Sequence, residues 1–260
     1  MRPIYLLQCA ALLAVSAPAA PQGSYLDHAS ATNKAGRQRM LSQRIFRCYV
    51  QIVENVSAPA ARAQLAESVL VFDEQIPDLK AFAAQSGIPD AVADVERHWI
   101  SVRALALGTP SHDGALKLRA AANQLLEAAE RNTAAIVRLT GAPENQLVDL
   151  AGRQRMLSQR LAAHHVMLGM DVERPALQRA IEDDRAEFTR ALGQLRSTPG
   201  NNAEVAAELE AVAEQWGRLQ PMLGLKAGYM GNRAAVIALA NAILNRMDRV
   251  TSIYQKEAAR

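Results

Sequence analysis

A ten-residue segment occurs twice in this chain, and this repeat constrains the fold more than any other feature. Residues 35–44, AGRQRMLSQR, return without a change as residues 151–160, an offset of 116. Apart from insertions of one or two residues, the offset persists downstream in three matched pairs: Phe72 and Phe188, Trp99 and Trp216, and Asn123 and Asn241. The duplication predicts two copies of one unit, which we place at residues 24–141 and 142–260.

The composition favours helices within each unit. Alanine is frequent and costs least in a helix, whereas aromatic residues, which are enriched in strands, make up only 4% of the chain. No run alternates between apolar and polar residues as a half-buried strand would. We therefore predict an all-α fold in which each unit is a four-helix bundle.

Turn-forming residues divide the chain into eight predicted helices. The breaks are expected at residues 57–59, 87–89, 108–111, 141–143, Pro175, 197–200 and 223–224. Ser24 and Asp27 resemble a capping pair that opens the first helix, which is expected to run to about Val56. Pro77 and Gly193 lie at equivalent places and predict a kink in each second helix.

The first nineteen residues have the features of a secretory signal peptide. Arg2 supplies a positive charge, residues 4–15 are apolar, and a small-residue cleavage site ends at Ala19. The apolar run is shorter than the roughly 20 residues that a membrane-spanning helix needs. We expect cleavage after Ala19 and a soluble periplasmic protein. Only Cys48 would remain, so no intrachain disulfide could form.

Helical spacing places the repeated residues on different faces of the motif helix. A buried stripe is predicted for Gln38, Leu41, Ile45, Cys48 and Ile52, with a neighbouring stripe of Arg39, Gln43, Phe46 and Val50. Arg39 lies one turn beyond Gly36, whose missing side chain lets other groups approach closely. Arg37 and Arg44 share a face with Met40. A small oxyanion could be held by the Arg39 guanidinium and the Gln43 or Ser42 side chain.

A solvated helix face, or one that pairs with carboxylates of a neighbouring helix, would also explain these arginines in a single copy. Such a face tolerates many residue orders, so the unchanged second copy favours a binding role. The predicted ligand-binding residues comprise both copies: Gly36, Arg37, Arg39, Ser42 and Gln43 with Gly152, Arg153, Arg155, Ser158 and Gln159.

Residues 33–44, NKAGRQRMLSQR, resemble the motif helix of the PilJ-type sensor domain at the N-terminus of type IV pilus chemotaxis transducers. They are also similar to the nitrate and nitrite sensor domains of NarX-type histidine kinases. Those kinases bind the anion at a subunit interface through one arginine from each chain. The resemblance implies that Arg39 and Arg155 hold an anion such as nitrate or nitrite beside Gly36 and Gly152. If the motif helices pack together, one chain would reproduce the two-fold site.

Histidines and carboxylates do not form a convincing metal site in the sequence. His164 and His165 are adjacent and point about 100° apart on a helix, so they cannot bind one metal together. A surface or interface pair is expected instead. Asp94 and His98 have the spacing of a metal pair, but a simple interaction on the helix surface is favoured. No metal or cofactor is predicted.

The remaining candidates indicate structure and not catalysis. Trp99 and Trp216 are expected to anchor the core, and Cys48 to be a packed apolar residue. No catalytic triad or phosphate-binding glycine loop is present, so the sequence does not predict an enzyme. The net charge is only +3, which does not indicate a nucleic-acid surface.

Two function classes therefore remain. The first is a periplasmic protein that captures a small oxyanion and reports to a separate membrane partner, either a chemoreceptor or a sensor kinase, because we predict no signalling domain from this sequence. The second is an interaction module whose motif helix docks another helical bundle without a ligand. Affinity for small anions separates the two classes.

Overall fold

The computed structural model describes residues 26–224 and 229–259, with the side chains of residues 229 and 230 left out. The first unit contains α1 (His28–Val53), α2 (Ala58–Gln85), α3 (Pro89–Leu107) and α4 (His112–Thr140). The second contains α5 (Pro143–Met167), α6 (Arg174–Arg196), α7 (Ala203–Leu219) and α8 (Tyr229–Ala258). Short 3₁₀ turns follow α5 and α7. No strand occurs in the described residues, and the all-α prediction is confirmed.

The ends of the helices follow from local chemistry. Asp27 caps α1, because its carboxylate accepts the Ser30 amide at 2.7 Å. Ser24, the other member of the expected capping pair, lies outside the described residues. The helix ends at Val53 and not near Val56, since Asn55 takes a left-handed conformation with φ 53°. Helices α2 and α6 continue through Pro77 and Gly193, and the kinks predicted there stay predictions.

The two units are packed through their motif helices. In the first unit α1 contacts α2 and α4, while α3 packs on α4 and α2; α5, α6, α7 and α8 repeat this arrangement in the second. The most extensive contact between any two helices joins α1 to α5. Both motif helices are therefore buried on almost all sides, and the predicted four-helix units share them as a central pair.

Each unit is anchored by an aromatic pair between its second and third helices. Phe72 stacks on Trp99 with ring centroids 4.0 Å apart, and Phe188 lies 4.3 Å from Trp216. All four side chains are buried. The predicted core role of the two tryptophans is confirmed.

No helix among the described residues combines the length and the apolar character that a bilayer crossing requires. The predicted signal peptide, residues 1–19, lies outside the described part of the chain.

Candidate functional site

The central helix pair brings the two motif arginines together. Arg39 and Arg155 are only 2% and 1% exposed. A Cβ built on Gly36 would lie 3.2 Å from Nη2 of Arg39 and 3.6 Å from Nη2 of Arg155. A Cβ on Gly152 would lie 3.2 Å from Nη2 of Arg155 and 3.4 Å from that of Arg39. Each guanidinium therefore lies against both glycines, and the two arginines form one shared cluster.

Carboxylates of the chain itself accompany these arginines. Nη2 of Arg39 lies 2.6 Å from the Asp149 carboxylate, which α5 carries just before its motif. Nη1 of Arg155 donates to Asp248 of α8 at 2.8 Å, and its Nη2 donates to the Asn33 amide oxygen at 2.8 Å. Sequence reasoning missed both aspartates. Asn33 lay within the quoted motif segment, and the position equivalent to it in the second copy is Asp149.

The cluster is electrostatically unfavourable for its own cations. Burial lowers the pKa of Arg155, and the positive charges of Arg37 and Arg39 act in the same direction, while Asp248 opposes them. The Nε atoms of Arg39 and Arg155 are buried and have no hydrogen-bond partner in the described structure. Two buried donors thus lack acceptors among the protein groups of the described structure, which is costly for a buried polar group.

The serine and glutamine of each motif copy donate to backbone carbonyls. Ser42 Oγ donates to the Arg39 carbonyl at 2.8 Å, and Gln43 Nε2 donates to the Ala122 carbonyl of α4 at 3.4 Å. The second copy repeats both contacts, with Ser158 to Arg155 at 2.8 Å and Gln159 to Ala240 at 3.3 Å. In the structure the two glutamines brace α1 against α4 and α5 against α8, whereas the two serines bond within their own helices. Their ligand-binding role stays a prediction.

Arg37 and Arg153 lie at the rim of the cluster. Arg37 Nη2 is 3.8 Å from Asp248, whereas Arg153 pairs with Glu130 at 3.0 Å and also with Glu187. A cavity of about 230 Å³ adjoins Arg37 and is lined also by Ser30, Asn33, Lys34, Gln75 and Gln255. Asn33, which lines this cavity, also accepts the hydrogen bond from Arg155.

His164 and His165 were predicted to form a surface or interface pair, and the surface alternative is wrong. His164 and His165 are both buried, because α5 is covered by neighbouring helices on nearly every side. His165 Nε2 lies 2.8 Å from the Asn232 amide oxygen, and the Gly224 N–H donates to its Nδ1 at 3.3 Å. His164 lies beside Asp184 of α6, with 3.6 Å between Nδ1 and the carboxylate.

The Asp94–His98 pair and Cys48 lie where the sequence predicts them. His98 Nε2 lies 3.5 Å from Asp94 within the turn of α3, a contact on the helix surface. Cys48 is fully buried. Within the described residues, no three histidine, cysteine, aspartate or glutamate side chains are grouped so that they could hold a metal ion.

The chain is thus an all-α tandem-repeat bundle whose two motif helices meet at a buried arginine pair, an architecture suited to a sensor module. The family model described as type IV pili methyl-accepting chemotaxis transducer N-term, PilJ, matches residues 24–129 and 142–242, and the chain belongs to this family. Each match covers one copy of the repeat. No curated protein and no solved structure matched the chain. The similarity to NarX-type domains stays a resemblance.

Membership in this family assigns a sensor role to the chain. The family consists of transducer sensor domains and not of enzymes, and its domains are typically extracytoplasmic. The family assignment rests on both copies of the unit. It does not name a ligand, and the chemistry of the arginine pair is therefore the basis for the proposal that follows.

Proposed function

We propose that this protein is a periplasmic sensor that holds a small oxyanion, such as nitrate or nitrite, between Arg39 and Arg155 and reports it to a separate membrane partner. The observation that carries the proposal is the convergence of two buried guanidinium groups, one from each motif helix, on the paired glycines Gly36 and Gly152. The partner would be a chemoreceptor or a sensor kinase.

The chemistry of the site suits a planar anion. A guanidinium presents donors in a fixed fork that matches an oxyanion, and it stays charged where a lysine could lose its proton. The partnerless Nε–H groups of Arg39 and Arg155 would gain acceptors from the ligand. Inside a water-poor cluster such bonds are stronger than on the surface.

The aspartates act in this proposal as internal competitors of the ligand. Asp149 and Asp248 neutralise the two arginines when no anion is present. An incoming oxyanion takes over their hydrogen bonds and releases the carboxylates from the cluster. Asp149 joins α5 to α1 through Arg39, and Asp248 joins α8 to α5 through Arg155, so their release alters the contacts of α5 with both α1 and α8. The protein then has two arrangements, one with the aspartates paired to the arginines and one with them released. A ligand that binds the second arrangement more tightly shifts the population toward it.

The adjoining cavity provides a path for the anion. Lys34 and Arg37 line it and carry positive charge, which attracts anions to its mouth. Asn33 separates the cavity from Arg155 and could pass the ligand inward by a change of rotamer. We place the units of this sensor at residues 24–141 and 142–260, after a signal peptide of residues 1–19 that directs export.

Calorimetric titration of nitrate and nitrite into the purified protein tests the proposal. Arg39→Ala and Arg155→Ala should each remove most of the binding, because each arginine supplies charge-assisted hydrogen bonds of about 1.5–3 kcal/mol. Lysine at either position should not restore it. Arg97→Ala, which changes an arginine with a 71% exposed side chain, is the matched control and should bind as the original protein does.

A second function is favoured by one specific observation. Because Asp149 and Asp248 already neutralise the arginines, the motif could serve only to dock helical bundles on one another without a ligand. Both functions predict that Arg39→Ala destabilises the fold. Only the sensor function predicts that nitrate or nitrite raises the melting temperature of the original protein and not of the variant. Absence of that effect would leave the docking function.

A further inference from the structure

The side chain of Arg47 breaks the correspondence between the two halves of the molecule. Arg47 lies on α1 just after the motif and is fully buried. Its guanidinium donates to the side-chain oxygens of Asn241 on α8 and Gln64 on α2, and lies 3.4 Å from Cys48 Sγ. One cation thus fills the space between α1, α2 and α8.

The repeat identifies what occupies the matching place in the other half. With the offset of 116, Arg47 corresponds to Ala163, Gln64 to Ala180 and Cys48 to His164. With the later offset of 118, Asn241 corresponds to Asn123. The structure supports this second register, since Gln43 bonds the Ala122 carbonyl and Gln159 bonds the Ala240 carbonyl. The large cation of one half is therefore replaced by a methyl group in the other.

A cavity of about 410 Å³ lies at this matching place, between α4, α5 and α6. Its lining includes Asn123, Ala180 and His164, which are the counterparts of the three residues that surround the Arg47 guanidinium. The counterparts of the residues around the Arg47 guanidinium therefore line a cavity in the other half.

The cavity also carries more negative than positive charge. Four carboxylates and two arginines line it: Glu127, Glu130, Asp183, Asp184, Arg119 and Arg160. Arg160 pairs with Asp184, Arg119 with Glu173 outside the cavity, and Glu130 with Arg153. Among the described residues Glu127 and Asp183 form no ion pair, which leaves two uncompensated negative charges.

Sequence differences between the two copies produce this excess of negative charge. In the first half Arg44 pairs with Glu67 at 2.7 Å, and the residue after Glu67 is the neutral Ser68. In the second half the equivalent arginine, Arg160, turns to Asp184, the counterpart of Ser68. Asp183, the counterpart of Glu67, is thereby left at the cavity without that partner.

His164 supplies an acceptor where the first half has a thiol. The residue is 4% exposed, and its Nδ1 has no hydrogen-bond partner in the described structure. Burial lowers the pKa of His164 and outweighs the opposing influence of Asp184, so the ring is neutral near pH 7. Because Nδ1 lies 3.6 Å from the Asp184 carboxylate, the neutral ring carries its proton on Nδ1, which leaves Nε2 as the acceptor.

We propose that this cavity binds a small organic cation bearing a guanidinium or primary amine group, which takes the position that Arg47 occupies in the other half. The ligand would donate to Asn123 and His164 and be balanced by Glu127 and Asp183. This site is distinct from the arginine pair, has the opposite charge preference, and does not depend on the oxyanion proposal.

Calorimetric titration with ethylguanidinium, and with ethylurea as a neutral analogue of similar shape, tests the inference on the full-length mature protein. Ethylguanidinium should bind at least tenfold more tightly than ethylurea. Ala163→Arg should abolish this binding, because the new side chain places its own guanidinium in the cavity. Ala207→Arg, a matched change at an exposed position of α7, should leave the binding unchanged.

A second pair of variants keeps the test decisive if Ala163→Arg does not fold. Asn123→Ala and Glu127→Gln each remove one predicted partner of the cation at a side chain that is not fully buried. Each should weaken ethylguanidinium binding several-fold. The inference is overturned if the original protein binds ethylguanidinium no better than ethylurea, or if a folded Ala163→Arg protein, or both smaller variants, bind as the original does.

Discussion

Asn33 and Asp149 occupy equivalent positions of the two repeats, and each contacts the arginine of the opposite motif helix. Asn33 accepts a hydrogen bond from Arg155, whereas Asp149 forms an ion pair with Arg39. The two-fold arrangement of side chains is therefore retained while its charge is not. One arginine faces a neutral amide across the helix pair, and the other faces a full negative charge.

Removing the charge of Asp149 tests its role as a competitor of the ligand. Asp149→Asn makes the two positions alike and should tighten nitrate or nitrite binding about tenfold, which corresponds to about 1.4 kcal/mol. The free energy of unfolding without ligand should fall, because buried Arg39 loses its charged partner. Titration calorimetry and urea unfolding measure the two effects. Asp90→Asn at an exposed position is the control, and weaker anion binding by Asp149→Asn would contradict the competition.

Adding a methyl group at either motif glycine should disturb the arginine pair. Gly36→Ala and Gly152→Ala each place a Cβ 3.2 Å from an arginine Nη2, which is tighter than ordinary contact. We expect weaker oxyanion binding and a loss of stability of about 1–2 kcal/mol, as for other overpacked interiors. Gly193→Ala on α6 has open space around it and should instead stabilise the fold by up to about 1 kcal/mol. Equal thermal-unfolding results for all three variants would refute the steric argument.

The stability of the protein should depend on pH through His164. Because burial lowers its folded-state pKa below the ordinary value of about 6.5, the unfolded chain binds this proton first as the pH falls. The contribution of His164 to the free energy of unfolding is constant above about pH 6.5, because the ring is then neutral in both the folded and the unfolded chain. Below that pH the free energy of unfolding should decline by up to about 1.4 kcal/mol per pH unit.

Urea unfolding of His164→Gln isolates the pH dependence that His164 causes. The measurement is made at several pH values from about 5 to 8, because the ordinary histidine pKa of about 6.5 lies within that range. The variant should lack the part of the decline that His164 causes, while His112→Gln, a change at a largely exposed histidine, should keep it. Asp184 adds nothing in this range. Burial alone would raise its pKa, but His164 and Arg160 outweigh that effect and lower it from an already acidic value. Parallel pH profiles for the original protein and His164→Gln would show that His164 is not the source.

Loss of Arg47 should open a second cavity that matches the first. Arg47→Ala leaves the half-buried side chains of Asn241 and Gln64 without their donor, and we expect a loss of up to about 1–3 kcal/mol for each group that stays unsatisfied. Ethylguanidinium should raise the melting temperature of this variant more than that of the original protein. Ethylurea should not do so. A thermal-shift series with both compounds makes the measurement, and an equal response to both would argue against cation recognition.

Much of the fold follows from the sequence because a duplication constrains both halves together. The identity of residues 35–44 and 151–160 predicts two units and two equivalent helices. Proline and glycine at residues 141–143 mark the end of α4 and the start of α5 for steric reasons. The spacing of Arg39 from Gly36 correctly predicts a guanidinium lying against the glycine, since three residues make nearly one turn.

The parts that sequence reasoning missed lie where the two copies differ. Asp149 faces Arg39 but corresponds to Asn33, so a search for identical positions passes over it. Arg47 and Ala163 differ in the same way, and only the packed helices show that one fills a space that the other leaves open. The burial of His164 was missed because a helix covered on all sides has no face reserved for polar residues, and nothing local in α5 reveals that coverage.

The contact between α1 and α5 makes the arginine pair independent of protein concentration. A site built from two separate subunits dissociates as the protein concentration falls, because its halves must find each other by diffusion. Here one polypeptide connects both halves, and such tethering typically maintains an effective local concentration of the order of millimolar. Arg39 and Arg155 therefore remain neighbours even when only a few molecules are present in a compartment, and the response of each molecule is independent of how many others surround it.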